Sequence, residues 1–472
     1  MRTAIFNRIE GAHPHHHRCA SPSPSPRRTG SGPTLASKDF TSLPRAIATP
    51  TASASAALTP TPTPPTPHHP ASSRRKGNPM PHLIVFSHLR WDFVFQRPQQ
   101  LMSRLASDYD VIFIEEPVHD PAGPPRIEAR RVGPPDGPHV EVLVPFTPIP
   151  APGFDDAQLP LLLPLIEREL GARGVRDYLV WLYTPMALPL IAGMQPRAIV
   201  YDCMDELSAF KNAPAQLRQR ENALMAAADL VLCGGPALYE ARRGQHPHLH
   251  CLPSAVDAAH FAPPRPDAAP ALEARAAELQ GRVPHPRLGF FGVIDERMDL
   301  ALVTEIADQR PDWHLIMVGP VVKIGEAALP RRPNLHWLGM QRYELLPHLL
   351  AGWDVALMPF ALNASTRFIS PTKTLEYLAG ARPVVSTPIR DVVGLYSDVV
   401  GIGHDAAGFI ARCEEALSED AASREYWHGA ASAVVAASSW DAGARRVRDW
   451  LAELTHPARD DTPVIGTTLR AA

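Results

Sequence analysis

Cysteine is scarce in this sequence and never arranged in close pairs. Five occur among 472 residues, Cys19, Cys203, Cys233, Cys251 and Cys413, widely spaced and without any Cys-x-x-Cys. That argues against a disulfide framework and against a zinc site, and it fits a reducing cytoplasm. An excess of one charge is also missing. The formal net charge is -3, so the overall balance does not point to nucleic acid as a main partner. No apolar run is long enough to span a membrane. No Gly-x-Gly-x-x-Gly joins the first strand-like segment to the helix after it, which counts against a dinucleotide-binding enzyme.

What is present is an ordinary globular composition, 45% hydrophobic, on a chain long enough for two or three domains. Residues 1–79 stand apart. Their SPSPSP and TPTPTPPTP runs, with a histidine cluster from His13 to His17, cannot bury enough apolar surface to offset ordering entropy, so a disordered extension is expected. The segment has Arg and Ser with few acids, as transit peptides do, but lacks a secretory apolar core. The histidine cluster reads as a metal-binding tract or, more simply, as low-complexity sequence. Met80 directly precedes the first strand signal, so translation starting there is a second reading of the extension.

From His82 the pattern turns to strands and helices. His82–Ser87 and Asp110–Ile114 read as buried strands, with a helix from Arg97 to Ala106 between them. The loop before that helix holds His88, Arg90, Trp91 and Asp92. In an open α/β sheet such a loop faces the ligand crevice, which makes these side chains candidates for substrate contact; the bland alternative is a solvated loop with one aromatic anchor. Tyr178–Tyr183, Ala198–Asp202 and Asp229–Cys233 read as further strands. Asp202, Asp205 and Glu206 then fall at a strand's carboxyl end, where an acid serves as a general base, orients a hydroxyl, or simply favours a helix start. The Pro-rich stretches Pro121–Pro138 and Pro145–Pro152 read as surface excursions. A Pro- and Ala-rich stretch closing at residues 263–286 reads as a linker.

The second half repeats the array. Arg287–Ile294, Trp313–Gly319, Asn334–Gly339 and Asp354–Phe360 read as strands, and Gly289 and Gly292 permit close backbone approach at a strand end. Two strand-helix arrays joined by a linker predict an α/β chain of two doubly wound, Rossmann-like domains facing a cleft. Their expected bounds are 80–262 and 287–455, with a flexible tail over 456–472. The stretch Asn363–Pro388, NASTRFISPTKTLEYLAGARPVVSTP, concentrates the chemistry. Ser370 is expected to cap a short helix, with Pro371 at its first position and Gly380 at its end. Ser370 to Thr372 then form an anion site, and Lys373 shares a face with Glu376, offering a cation to a phosphate and a carboxylate to sugar hydroxyls. An exposed helix pair is the plainer reading of those two residues.

These segments resemble a known family. The order GFFGVIDERMDL, DWHLIMVGP, NLHWLGM, DVALMPF and SPTKTLEYLAGARPVVSTP is similar to the nucleotide-sugar-binding domain of bacterial glycosyltransferases with the GT-B fold. Within them it looks most like the retaining family-four enzymes of envelope-polysaccharide, teichuronic-acid type. FSHLRWDFVFQRPQQL and YDCMDELSAF resemble the acceptor domain of the same group. The resemblance, spanning Met80 to Leu451, implies that Glu376 matches the second acid of a paired-glutamate motif and holds the donor ribose. It implies that Lys373 and Arg297 meet the donor diphosphate; Gly292, from its place at a strand end, joins the donor candidates, and His88, Arg90 and Trp91, from their loop, are the acceptor-side candidates. Phe368 stands where relatives carry the first acid of the pair.

The expected function is therefore transfer of a sugar from a nucleoside diphosphate sugar to a hydroxyl of a saccharide or lipid-linked acceptor, in polysaccharide or glycolipid assembly. No convincing Asp-x-Asp motif occurs, so the cations and the helix start would neutralise the leaving group without a metal or another cofactor. If the reaction inverts, Asp205 or Asp92 is the acceptor base; if it retains, the departing phosphate takes the proton. The protein is expected in the cytoplasm; apolar or basic residues such as Arg242-Arg243 or Arg445-Arg446 offer peripheral contact with the membrane, their plainer reading being solvated helix faces. A nucleotide-sugar epimerase of the same architecture is the alternative enzyme, and the Phe368 departure keeps open a non-catalytic binding subunit.

Overall fold

The computed structural model describes residues 80–265 and 267–455. The expected extension over 1–79 and tail over 456–472 lie outside the described residues.

The first half forms one sheet of nine strands: β1 His82–Ser87, β2 Asp110–Glu115, β3 Val118–His119, β4 Arg126–Val132, β5 Val140–Thr147, β6 Tyr178–Leu182, β7 Ile199–Cys203, β8 Leu230–Cys233 and β9 Leu249–Cys251. Their spatial order is β3-β5-β2-β1-β6-β7-β8-β9, with β4 antiparallel against β5. Leu83 to Phe86 of the central β1 have no exposed surface. A strand apolar on both faces is stable only where helices cover both sides, which is the parallel α/β arrangement.

The second half forms a parallel six-stranded sheet: β10 Arg287–Phe291, β11 His314–Val318, β12 Leu335–Trp337, β13 Val355–Met358, β14 Val384–Ser386 and β15 Val400–Ile402. Its order, β12-β11-β10-β13-β14-β15, is that of a doubly wound Rossmann sheet. Chain order reverses between β10 and β13 here, and between β1 and β6 in the first sheet. A crevice opens at the carboxyl ends of strands at such reversals, so the topology directs a ligand to the loops after β1, β10 and β13.

Five helices bear on the site and its support: α1 Arg97–Leu105, α2 Pro236–Arg242, α3 Thr372–Ala379, α4 Arg390–Tyr396 and α5 Trp440–Thr455. No helix among the described residues is long and apolar enough to cross a membrane.

Three expectations need correction. The stretch Pro121–Pro138 is not a plain excursion: Arg126 to Val132 pair antiparallel with Phe146 back to Val140, and prolines flank that strand without entering it. The linker 263–286 is docked, because its helix Pro270–Gln280 buries Ala276 in the second core and Gln280 accepts the Trp353 indole N–H at 3.0 Å. The bound 287–455 also fails at its end. Trp440, Ala444, Val447 and Leu451 form one stripe of α5, and that stripe is buried with Leu101, Met102, Leu105 and Trp181 in the first core. The chain thus crosses between the halves twice, and the crossings are paired: the Val256 N–H donates to the Ser438 carbonyl at 2.9 Å.

Candidate active site

A cavity of about 630 Å³ lies between the two sheets. Its walls are the loop from Trp91 to Gln96 after β1, Phe291 and Gly292 after β10, Val318 to Pro320 after β11, Met340 to Glu344 after β12, and Thr372, Lys373 and Glu376 of α3. The loops after β1 and β10 and the helix after β13 are those the topology selects, and the loops after β11 and β12 complete the wall. Helix α3 buries Thr374, Leu375, Tyr377 and Leu378, which leaves Lys373 and Glu376 half-buried toward the cavity. Its onset differs by one residue from the sequence reading. Pro371 takes the capping position at ψ 118, and no side chain caps the helix. Ser370 is instead packed against Gly235 of the first domain.

Lys373 reaches the cavity by lying across Gly292. That glycine has φ +144, and a Cβ on it would fall 2.0 Å from Lys373 Cε. Only glycine satisfies both the backbone angle and the lysine's path. Burial lowers the lysine's pKa, and the Glu376 charge partly opposes that. Among the described residues its ammonium has no hydrogen bond or ion pair, although Phe290 presents a ring 5.8 Å away. Burial raises the Glu376 carboxyl to about 7, Lys373 again working against the shift. A cation and an acid of nearly neutral pKa therefore face one cavity a turn apart, without consuming each other.

The other candidates divide. Thr372 and Gly292 reach the wall; Ser370 and Pro371 stand behind it. Arg297 is not on the wall: its guanidinium is held by Asp295 at 2.8 to 3.2 Å and lies 5.4 Å over the Phe210 ring of the first domain. Burial of Arg297 disfavours its charge, but Asp295 outweighs this and keeps its pKa high. Asp205 is half-buried, its carboxyl raised by burial with the Arg297 and Lys373 charges opposing. Asp92 lines the cavity but is exposed and paired with Arg130 at 2.7 Å.

On the acceptor side, the loop's polar crowd is mostly structural. Arg90 turns to Glu115 at 3.0 Å, away from the cavity. The Trp91 N–H donates to the other Glu115 oxygen at 2.9 Å, and its ring is buried edge-on to Phe113, so only part of it reaches the wall. His88 is half-buried, and desolvation lowers its pKa to about 4, so the ring is neutral near pH 7. Asp202 is fully buried and bonded to Arg97 at 2.8 to 3.0 Å. Phe368 does not face Lys373 and Glu376; it lines a second inter-domain cavity of about 610 Å³. Arg242, expected at the surface, is 7% exposed and held by Glu221 at 2.6 Å and Glu206 at 2.9 Å.

Sequence reasoning missed Tyr343. It lines the cavity, stacks on His260 at 4.0 Å, lies tilted against Phe95 at 4.9 Å, and accepts from Gln100 Nε2 at 3.1 Å. An aromatic opening a short helix carries no local signal of a partner 243 residues away.

The comparisons agree with this geometry. Residues 285–420 match the family described as Glycosyl transferases group 1. A putative teichuronic acid biosynthesis glycosyltransferase of Bacillus subtilis (strain 168) is 26% identical over 281 residues, 55% of this chain and 68% of that protein. Among solved structures, sucrose-phosphate synthase from Thermosynechococcus elongatus superposes with a TM-score of 0.57 at 17% identity, covering 79% of this chain and 99% of that one. HepE of Anabaena, solved with UDP and glucose, gives 0.57 at 15% identity over the same shares. The chain has the two-domain GT-B fold, and residues 285–420, the stretch that carries Lys373 and Glu376, match the Glycosyl transferases group 1 family.

Proposed function

We propose that the protein transfers a glycosyl group from a nucleoside diphosphate sugar to a hydroxyl of a saccharide or lipid-linked acceptor, without a metal, in polysaccharide or glycolipid assembly. The observation that carries this reading is Lys373, an unpaired cation laid across Gly292 on the cavity wall. Breaking the anomeric C–O bond builds negative charge on the diphosphate. A preorganised ammonium beside the amides that open α3 stabilises that charge more than it stabilises the ground state, which is what accelerates the step. Glu376, one turn on, accepts from ribose hydroxyls once ionised. The UDP found with the Anabaena protein is consistent with such a donor.

Asp205 is the acceptor-side base in this reading if the reaction inverts. Its raised pKa and its place among cations at the domain boundary suit proton acceptance better than the exposed, paired Asp92. Arg297 contributes through Asp205 and Phe210 at the boundary. Action from the cytoplasmic face of a membrane, in peripheral contact, suits a lipid-linked acceptor. Lys373→Ala is expected to lower turnover by about 10²-fold or more, the scale of removing one preorganised transition-state donor, with the fold intact by circular dichroism. Wild-type turnover in that variant would refute the assignment.

A further inference from the structure

The start of α3 is held from the opposite domain. Ser254, in the segment after β9, donates its hydroxyl to the Ser370 carbonyl at 2.8 Å, and the Thr372 hydroxyl lies 3.4 Å from the Ser254 oxygen. Asp391, in the first turn of α4, accepts the Ala237 N–H of α2 at 2.9 Å. Between these contacts Gly235 is pressed against the second domain: a Cβ on it would fall 2.2 Å from Asp391 Oδ2 and 2.6 Å from Ser370 Cβ. Gly235, Ala237 and Ser254 belong to the first half of the chain; Ser370, Thr372 and Asp391 belong to the second. The contacts of Ser254 and Gly235 meet Ser370 and Thr372, just before Lys373. No side chain of its own domain caps α3, and the cross-domain contacts add to the hold of Thr374 on Met358 within the second domain.

We propose that Ser254 and Gly235 are positioning residues for the donor: the first domain fixes the opening turn of α3, and with it Lys373 and Glu376, so the donor pocket is complete only when the two domains are engaged. The proposal rests on the donor reading given above. Gly235 is a clean probe of it. Its φ of -170 is extended backbone open to any residue, so an added methyl leaves α2 its conformation and collides only across the boundary. Ser254→Ala removes the hydroxyl that reaches Ser370, and Ser254→Thr restores it.

The test uses the full chain and four variants, Gly235→Ala, Ser254→Ala, Ser254→Thr and Lys373→Ala. Binding of uridine, adenosine and guanosine diphosphates is measured by calorimetry, alongside donor KM, kcat and the thermal midpoint without nucleotide. Gly235→Ala and Ser254→Ala are expected to weaken the nucleotide that binds by about five- to tenfold, the scale of one hydrogen bond. Donor KM should rise in step, with Ser254→Thr close to wild type, and any fall in the midpoint should accompany the loss of nucleotide affinity. Unchanged binding in Gly235→Ala and Ser254→Ala, with Lys373→Ala impaired, overturns the positioning role alone. Unchanged binding in all three overturns the donor reading with it. A midpoint that falls while nucleotide affinity holds marks a merely structural contact and also overturns the proposal.

Discussion

A carboxyl raised to about 7 by burial keeps its proton where an exposed glutamate has lost it. Because the folded state binds that extra proton, the Glu376 environment becomes a growing cost to stability as pH rises from the ordinary glutamate range to about 7. In the proposed donor site function runs the other way, since the ionised carboxylate is the stronger acceptor for ribose hydroxyls. Affinity for a nucleotide sugar, whose diphosphate diester does not titrate near neutrality, is expected to rise from pH 6 to pH 8. Calorimetry across that range checks it, and Glu376→Gln should give a flat profile. That Lys373 and Glu376 share a helix face was legible from their spacing, although the cap expected at Ser370 is not formed. The pairing of Arg90 and the Trp91 amide with Glu115 was not legible, because Glu115 ends a neighbouring strand and nothing local announces it.

At the scale of the element, α3 depends on the loop after β10. Gly292→Ala adds a Cβ into the path of Lys373 at a positive φ; a strain of about 1–3 kcal/mol is expected, with loss of nucleotide binding, and denaturant melts with and without nucleotide would show both. Trp440→Ala at the start of α5 should cost about 3–5 kcal/mol, as large core aromatics do. Hydrogen exchange should locate that loss in α1 and the first sheet, which share its core. The strands facing the site were readable from apolar runs with clear bounds. β4 was not, because its charged, half-exposed residues lie between prolines. The stripe of α5 showed that the helix is amphipathic but could not say which core receives it: periodicity describes a face, and its partner is decided by the whole chain.

For the whole molecule, the halves meet at separate places around the cleft. Phe210 takes Arg297 at 5.4 Å and Lys323 at 4.4 Å, and Tyr343 takes Phe95. A nucleoside diphosphate that binds the folded chain at a hundredfold its Kd should stabilise it by about 2.7 kcal/mol. A thermal scan should therefore show a rising midpoint, and no response to any nucleoside diphosphate would count against the donor site. Two facing Rossmann domains were legible from two strand-helix arrays; their mutual contacts were not, because each joins residues about a hundred or more positions apart. The return of α5 to the first sheet also bears on how the protein is made. Domains tend to fold as they leave the ribosome, amino-terminal first, yet here the first sheet's core includes Trp440 and Leu451. The half synthesised first must wait, with that groove uncovered, until nearly the whole described chain has emerged.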